Sequence, residues 1–247
     1  MVAKPIPKLA QKNVAKKKPA AKRAKRVSPA ERERIVEIFS RFEALEGNPS
    51  TELEYSNPYT LVTAVALSAQ ATDKSVNKAT KVLFAEADTP AGMLALGEAR
   101  LTDLIKTIGL YRTKAKNVMA TARILTEQHG GEVPLRREAL ESLPGVGRKT
   151  ASVVLNELGI EPAIAVDTHV FRVSHRLKLS AGKTPDKVEA DLMAIVPEPY
   201  LTRAHHWLIL HGRYTCVARR PKCEECPLDD LCPSKILFVG AAATVRP

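Results

Sequence analysis

Residues 143–151 read LPGVGRKTA: two glycines one residue apart, then a lysine two positions past the second. In the wider segment LESLPGVGRKTASVV (140–154), one amphipathic helix is expected before Pro144 and another after Gly147. Gly145 and Gly147 then lie in the turn of a helix–hairpin–helix. Glycine has no Cβ, so a bulky anion can approach the backbone N–H groups closely. The turn also faces the positive end of the second helix, where anions are favoured. A nucleic-acid phosphate meets both conditions, and the grip would be independent of base sequence. For a bare Gly-Val-Gly, the alternative is an ordinary tight interhelical turn.

Lys149 falls in the first turn of the second helix, just past this grip. A cation is mildly disfavoured there. It is either a further phosphate contact or a nucleophile, since the dipole together with partial burial would ease loss of the ammonium proton.

Helical signals extend in both directions from the hairpin. SPAE (28–31) reads as a capping box, with the Ser28 hydroxyl serving an orphan N–H, Pro29 at the first helical position and Glu31 reaching back. Apolar residues then recur at helical spacing until Gly47. TLVTAVALSAQA (60–71) is apolar on nearly all sides and predicts a central buried helix. Asp73 is expected to cap the next helix, and Thr89-Pro90 opens another, followed by ARLTDLIKTI. A long helix is expected from about Arg112 to His129, ended by Gly130-Gly131. More are expected near 136–142, 148–158, 168–177, 185–195 and 200–213. No alternating strand pattern is convincing, so the fold class is all-α, with ten or so short helices.

The 247-residue chain carries 38 basic and 27 acidic residues, a net +11. Ten of the basic residues precede Val27, where no acid occurs, so the rest of the chain is close to neutral. This Ala-, Lys- and Pro-rich stretch cannot bury enough apolar surface to fold alone, which makes 1–27 a disordered basic tail. It would attract a polyanion by counterion release; a solubilising leader is the plainer reading. No apolar run approaches the roughly 18 residues of a membrane helix, and the N-terminus lacks a secretory core. The expected location is cytoplasmic and nucleoid-associated, with no membrane contact.

All four cysteines, Cys216, Cys223, Cys226 and Cys232, fall within seventeen residues. Such clustering indicates a metal or metal-cluster site in a reducing compartment. Zinc sites usually show two short Cys pairs; here one short pair is flanked by gaps of six and five. Four thiolates in one compact loop can hold a [4Fe–4S] cluster.

Four motifs in order, LSAQATDKSVNKA, LPGVGRKTASVVLN, AVDTHVFRV and Cys-x6-Cys-x2-Cys-x5-Cys, resemble the endonuclease III family of DNA glycosylases. The resemblance covers about Glu31 to Pro233. It implies a two-domain helix–hairpin–helix glycosylase fold. A six-helix domain (51–161) carries the hairpin, an iron–sulfur cluster domain is built from 28–50 and 162–236, and a C-terminal tail spans 237–247. DNA would lie in the cleft between the domains.

The resemblance also implies chemistry. A damaged pyrimidine is flipped out of the stack, and Lys149 attacks the sugar C1′ as the base leaves. Asp167 stabilises developing positive charge and assists proton transfer, besides capping the helix that begins at Thr168. β-Elimination from the Schiff base then cuts the strand 3′ to the abasic site. Relatives that excise adenine or thymine from mismatches lack the hairpin lysine, so Lys149 implies a bifunctional glycosylase and AP lyase acting on oxidised pyrimidines in base-excision repair. Gln70 matches the residue that fills the gap left by the flipped nucleotide, and Leu110 the wedge from the other side; without the family they would read as a satisfied polar residue and a core leucine. The cysteines would hold a [4Fe–4S] cluster that orders the loop VARRPK (217–222), bringing Arg219, Arg220 and Lys222 to phosphates. Double-stranded DNA containing damaged pyrimidines or abasic sites is the implied partner, and the enzyme is expected to be a monomer. The remaining alternatives are a glycosylase for mispaired thymine or uracil, and a non-catalytic helix–hairpin–helix DNA-binding protein. Trp207 reads as core, His205, His206 and His211 as packed or surface groups, and His169 as lying near the cleft.

Overall fold

The structure is a computed structural model that describes residues 27–239. The expectations for the basic stretch 1–26 and for residues 240–247 lie outside the described residues. Among those described there are eleven α-helices, one 3₁₀ turn and no strand. α1 spans Pro29–Leu45, α2 Pro58–Ser68, α3 Asp73–Glu86, α4 Pro90–Ile105, α5 Tyr111–His129, α6 Arg137–Glu141 and α7 Arg148–Glu157. α8 spans Thr168–Arg176, α9 Pro185–Ile195, α10 Leu201–Tyr214 and α11 Ile236–Val239.

Local chemistry sets most of the helix starts. Ser28, Asn57, Thr89 and Thr184 each accept a backbone N–H with the side chain, and proline follows in the first turn. The box expected at Ser28 is half formed. Ser28 Oγ accepts from the Glu31 N–H, but the Glu31 carboxylate turns to the Arg34 guanidinium at 2.5 Å. A reciprocal box forms instead at Asn57 and Thr60. The cap of α3 is Thr72, not Asp73: the Thr72 hydroxyl accepts from the Ser75 N–H, and Asp73 is the first helical residue. The expected break between Thr89-Pro90 and ARLTDLIKTI is a kink inside α4, where Gly97 takes φ 81°. Two boundaries differ by a little: Val27 packs on a core, and Leu237–Val239 belong to α11.

Two apolar clusters organise the molecule. The first gathers α2 to α7 and includes Leu61, Leu67, Leu101, Leu125, Val154 and Leu155, all fully buried. α2 runs through its centre with eight of its eleven residues buried, as its uniform apolarity requires. The second joins α1 to α8, α9 and α10. Trp207 anchors it, 2% exposed, stacked on Phe42 with ring centroids 6.4 Å apart. Its indole N–H donates to the Glu46 carbonyl at 2.7 Å, which ties the end of α1 to α10. Each large side chain buried this way contributes roughly 1.5–3 kcal/mol. The link between α7 and α8 passes from one cluster to the other.

Candidate active site

The helix–hairpin–helix is formed by α6, the turn 142–147 and α7. Gly145 adopts φ 80°, and a Cβ there would lie 2.9 Å from Asn117 Nδ2 and 3.1 Å from Asn117 Cβ. Both the backbone and the space demand glycine. Gly147 differs: at φ −88°, ψ 178° it is ordinary extended backbone with nothing within 4 Å of a modest side chain. Nothing among the described residues requires glycine there. It is the N-cap of α7, and no side chain caps that helix, so its first N–H groups lack a capping partner. The Thr121 hydroxyl donates to the Pro144 carbonyl at 3.1 Å and fixes the turn against α5.

A cavity of about 500 Å³ opens beside the hairpin. It is lined by Lys149 from the first turn of α7, Asp167 from the start of α8, and Gln70, His169, His205 and Arg213. The hairpin and the AVDTH segment, separate in sequence, therefore share one cavity. Asp167 caps α8 as expected, and both N–H groups it receives, from His169 and Val170 at 2.8 Å, go to Oδ1. Oδ2 takes no part in the cap. The partial burial expected of Lys149 is not found. Its place in the first turn of α7, at the cavity's rim, leaves it exposed.

His205 is 3% exposed, and its Nδ1 has no hydrogen-bond partner. Burial pushes its protonation well below the ordinary imidazole range, and the neighbouring His206 adds to this, so the ring beside Lys149 and Asp167 is neutral at pH 7. His206, depressed by burial, lies 3.4 Å from the buried Glu157 carboxylate. These histidines are packed groups, as expected, although His205 also lines the cavity.

Sequence reasoning missed Arg213. Its guanidinium reaches from α10 to the Asp73 carboxylate at 2.6 Å and to Glu52, bridging the two halves beside the cavity. The Tyr214 hydroxyl donates to the other Glu52 oxygen at 2.6 Å. This arginine draws Asp73 away from capping. Nothing in HGRY marks it, because both its partners are more than 130 residues away. A second recess of about 730 Å³ shares Asp73, His169 and Arg213.

Gln70 and Leu110 are both exposed and both left-handed, at φ 56° and 60°. Leu110 is 62% exposed, so it is not a core leucine.

The four cysteines are free thiols at intermediate depth in the loop after α10. Burial pushes Cys226 up to about 11, and the other three thiols push it the same way. A thiol so reluctant to ionise becomes a ligand when a metal's charge stabilises the thiolate. Four thiols within seventeen residues of one loop are a donor set that suits a multinuclear cluster. Arg176 donates to Cys216 Sγ at 3.3 Å and to the carbonyls of Val217 and Ala218 at 2.8 Å, which holds the start of the basic loop against the cysteines. Arg219, Arg220 and Lys222 are exposed on that loop and form no ion pair among the described residues.

Residues 63–198 match the family model of the HhH-GPD superfamily base excision DNA repair proteins. Residues 216–232, which begin and end on cysteines, match the iron–sulfur binding domain of endonuclease III. Endonuclease III of Escherichia coli is 56% identical over 200 residues, covering 81% of this chain and 95% of that protein. The chain belongs to the endonuclease III family. Endonuclease III of Treponema pallidum is 56% identical over 196 residues, or 79% of this chain and 92% of that one. A solved endonuclease III, trapped as a covalent intermediate with DNA, superposes with a TM-score of 0.79 at 42% identity, covering 84% of this chain and 98% of the other. Like the rest of the family, the chain is a DNA glycosylase and AP lyase of base-excision repair, with a [4Fe–4S] cluster as cofactor. No helix among the described residues is long and apolar enough to cross a membrane.

Proposed function

We propose that this protein removes oxidised pyrimidines from double-stranded DNA through a Lys149 Schiff base and then cleaves the strand by β-elimination. The observation that carries this reading is the single cavity lined by both Lys149 and Asp167. The uncapped N–H groups of α7 grip a phosphate of the damaged strand, which brings the extruded sugar to the cavity mouth. Lys149 Nζ, as free amine, bonds to C1′ while the bond from C1′ to the base breaks, and the base leaves with the electron pair and takes its proton from water. Asp167 Oδ2, free of the capping bonds, stabilises positive charge developing on the sugar. It then carries a proton from the adduct nitrogen to the ring O4′, so that the C1′–O4′ bond breaks and the sugar opens to the iminium. With the iminium as electron sink, C2′ loses a proton, the C3′–O bond breaks and the 3′ phosphate departs. Hydrolysis of the imine frees Lys149.

Gln70 and Leu110 enter the duplex where the nucleotide has left. Gly145, Gly147, Arg219, Arg220 and Lys222 contact the backbone. Cys216, Cys223, Cys226 and Cys232 hold the cluster, whose contribution is to fix the loop 217–222 rather than to react. A six-helix domain, 51–161, carries the hairpin, and a cluster domain is built from 28–50 with 162–236; the division of the core into two apolar clusters supports this. The protein acts as a monomer in the cytoplasm, at the nucleoid. The trapped covalent intermediate of a homologous endonuclease III supports the covalent route.

Borohydride reduction during turnover of a thymine-glycol duplex should yield a stable protein–DNA adduct, absent in Lys149→Ala. An adduct that survives this substitution refutes the role of Lys149. Excision confined to mispaired thymine or uracil, with thymine glycol untouched, refutes the substrate class.

A further inference from the structure

Lys114 is 7% exposed, unusually deep for a lysine, and no carboxylate pairs with it among the described residues. Its ammonium donates instead to two backbone carbonyls, Leu67 at 3.0 Å and Ala69 at 2.7 Å. These lie at the C-terminal end of α2, where carbonyls lack helical partners and a cation is favoured. Lys114 itself sits in the first turn of α5, and its own N–H donates to the Leu110 carbonyl at 3.1 Å. One residue thus touches the segments before Gln70 and at Leu110. The two segments also meet directly, since a Cβ on Gly109 would lie 3.6 Å from the Gln70 carbonyl.

Only three non-glycine residues among those described have positive φ, and Gln70 and Leu110 are two of them. Such conformations are disfavoured for residues with a Cβ and persist where the surroundings enforce them. Both side chains are exposed, although Gln70 also lines the cavity, so their own packing does not supply that enforcement.

We propose that Lys114 is a positioning residue whose buried ammonium ties the carbonyl end of α2 to the first turn of α5, holding Gln70 and Leu110 side by side in the strained, outward conformations from which they enter DNA. The proposal rests on the reading that these two residues enter the duplex.

The test compares full-length holoenzyme variants Lys114→Met, Lys114→Arg, Gln70→Ala and Leu110→Ala. Three quantities are measured: amide hydrogen exchange of residues 67–71 and 108–112, fluorescence of a 2-aminopurine opposite an abasic-site analogue, and KM and kcat on a lesion duplex. Lys114→Met removes both donors at similar volume. Faster exchange in both segments is expected, with a smaller fluorescence rise and a KM about tenfold higher, the loss falling on KM rather than kcat. Lys114→Arg should recover most of it. If Gln70→Ala and Leu110→Ala leave fluorescence and KM as in the parent, the two residues do not enter the duplex and the proposal falls with that reading. If they lower the fluorescence while folded Lys114→Met does not, the reading stands and the brace is refuted. Should Lys114→Met not fold, Lys114→Gln, too short to reach both carbonyls, is expected to show a smaller rise in KM; an unchanged KM overturns the proposal.

Discussion

Asp167 divides one carboxylate between two tasks, and substitution can separate them. Oδ1 accepts the N–H groups of His169 and Val170 at 2.8 Å, while Oδ2 is left for the cavity. Asp167→Asn keeps an acceptor at Oδ1 and removes the charge. Asp167→Ala removes both. An N-cap is worth about 1 kcal/mol, and for a chain of this size that corresponds to roughly 2–4 °C in Tm. The cap term should therefore appear in Ala and be nearly absent in Asn. The catalytic term should appear equally in both, because neither side chain can stabilise cationic charge on the sugar. A positioned acid–base group contributes about 10²–10⁴ in rate, so single-turnover excision of thymine glycol should slow by at least about a hundredfold in each variant. Calorimetry and rapid-quench kinetics on the same preparations give both numbers. Asn turning over at the parental rate would show that charge at this position is not needed. Ala melting no lower than Asn would show that the two short bonds to Oδ1 do not stabilise α8.

The two hairpin glycines should part in the same way. Gly145→Ala meets Asn117 and a left-handed backbone, so it should lower Tm by several degrees as well as weaken DNA binding; Gly147→Ala should leave Tm unchanged and raise Kd for duplex DNA, and an unaltered Kd would remove Gly147 from the phosphate grip. Stability should fall in acid because His205 and His206 are buried with depressed protonation. The unfolded imidazoles titrate near 6.5 and the folded ones lower, so unfolding takes up protons below about pH 6.5. Each such group adds at most about 1.4 kcal/mol per pH unit. Denaturant titrations at pH 7.5 and 5.5, followed by Trp207 fluorescence, measure it, and a midpoint independent of pH across this range counts against the burial argument. Cys226→Ser should lose the cluster's visible absorbance and, with the 217–222 loop released, show a shallower salt dependence of DNA binding; a full-strength chromophore in this variant would exclude Cys226 as a ligand.

Much of the fold was legible because its signals are short-range. Caps at Ser28, Thr89 and Thr184 depend on atoms three residues away, and a chain reading finds them. The uniform apolarity of α2 likewise could end only in burial. Where reading failed, a distant group had intervened. Asp73 is as good a cap as Thr72 by composition, but Arg213, 140 residues on, takes its carboxylate. Glu31 was open to two partners, and the nearer charge won over the backbone N–H. Lys114 sits in LYRTKAKN, a stretch that gives no hint of burial, because the carbonyls it serves belong to the end of another helix. The left-handed backbones of Gln70 and Leu110 were invisible for the same reason: neither residue type favours that conformation, and its enforcement is tertiary. Arg213 was missed as a cavity residue because its partners come from the other half of the molecule, and His205 because Asp167 and Lys149 beside it are distant in sequence.

The polar contacts around the cavity bear on how Lys149 and Asp167 are kept in register. Lys149 stands on a helix of the first apolar cluster, and Asp167 begins a helix of the second. Apolar contact favours bringing two surfaces together but is non-directional, whereas a reacting amine must be held within a fraction of an ångström of its path. The contacts that cross between the halves are directional. Asn156, buried on α7, donates to the Thr202 carbonyl of α10 at 2.8 Å and accepts the Ala163 N–H at 3.1 Å, on the strand of chain leading to Asp167. Glu157, next along α7, meets His206 of α10, and Arg213 of α10 meets Asp73 of α3. α10 is thus bonded to the helix that carries the nucleophile, and α8, which carries the carboxylate, packs on α10. A buried amide with both ends satisfied loses two bonds when it is displaced, and each unsatisfied group costs about 1–3 kcal/mol. That cost opposes sliding of one half past the other in a way that apolar packing does not.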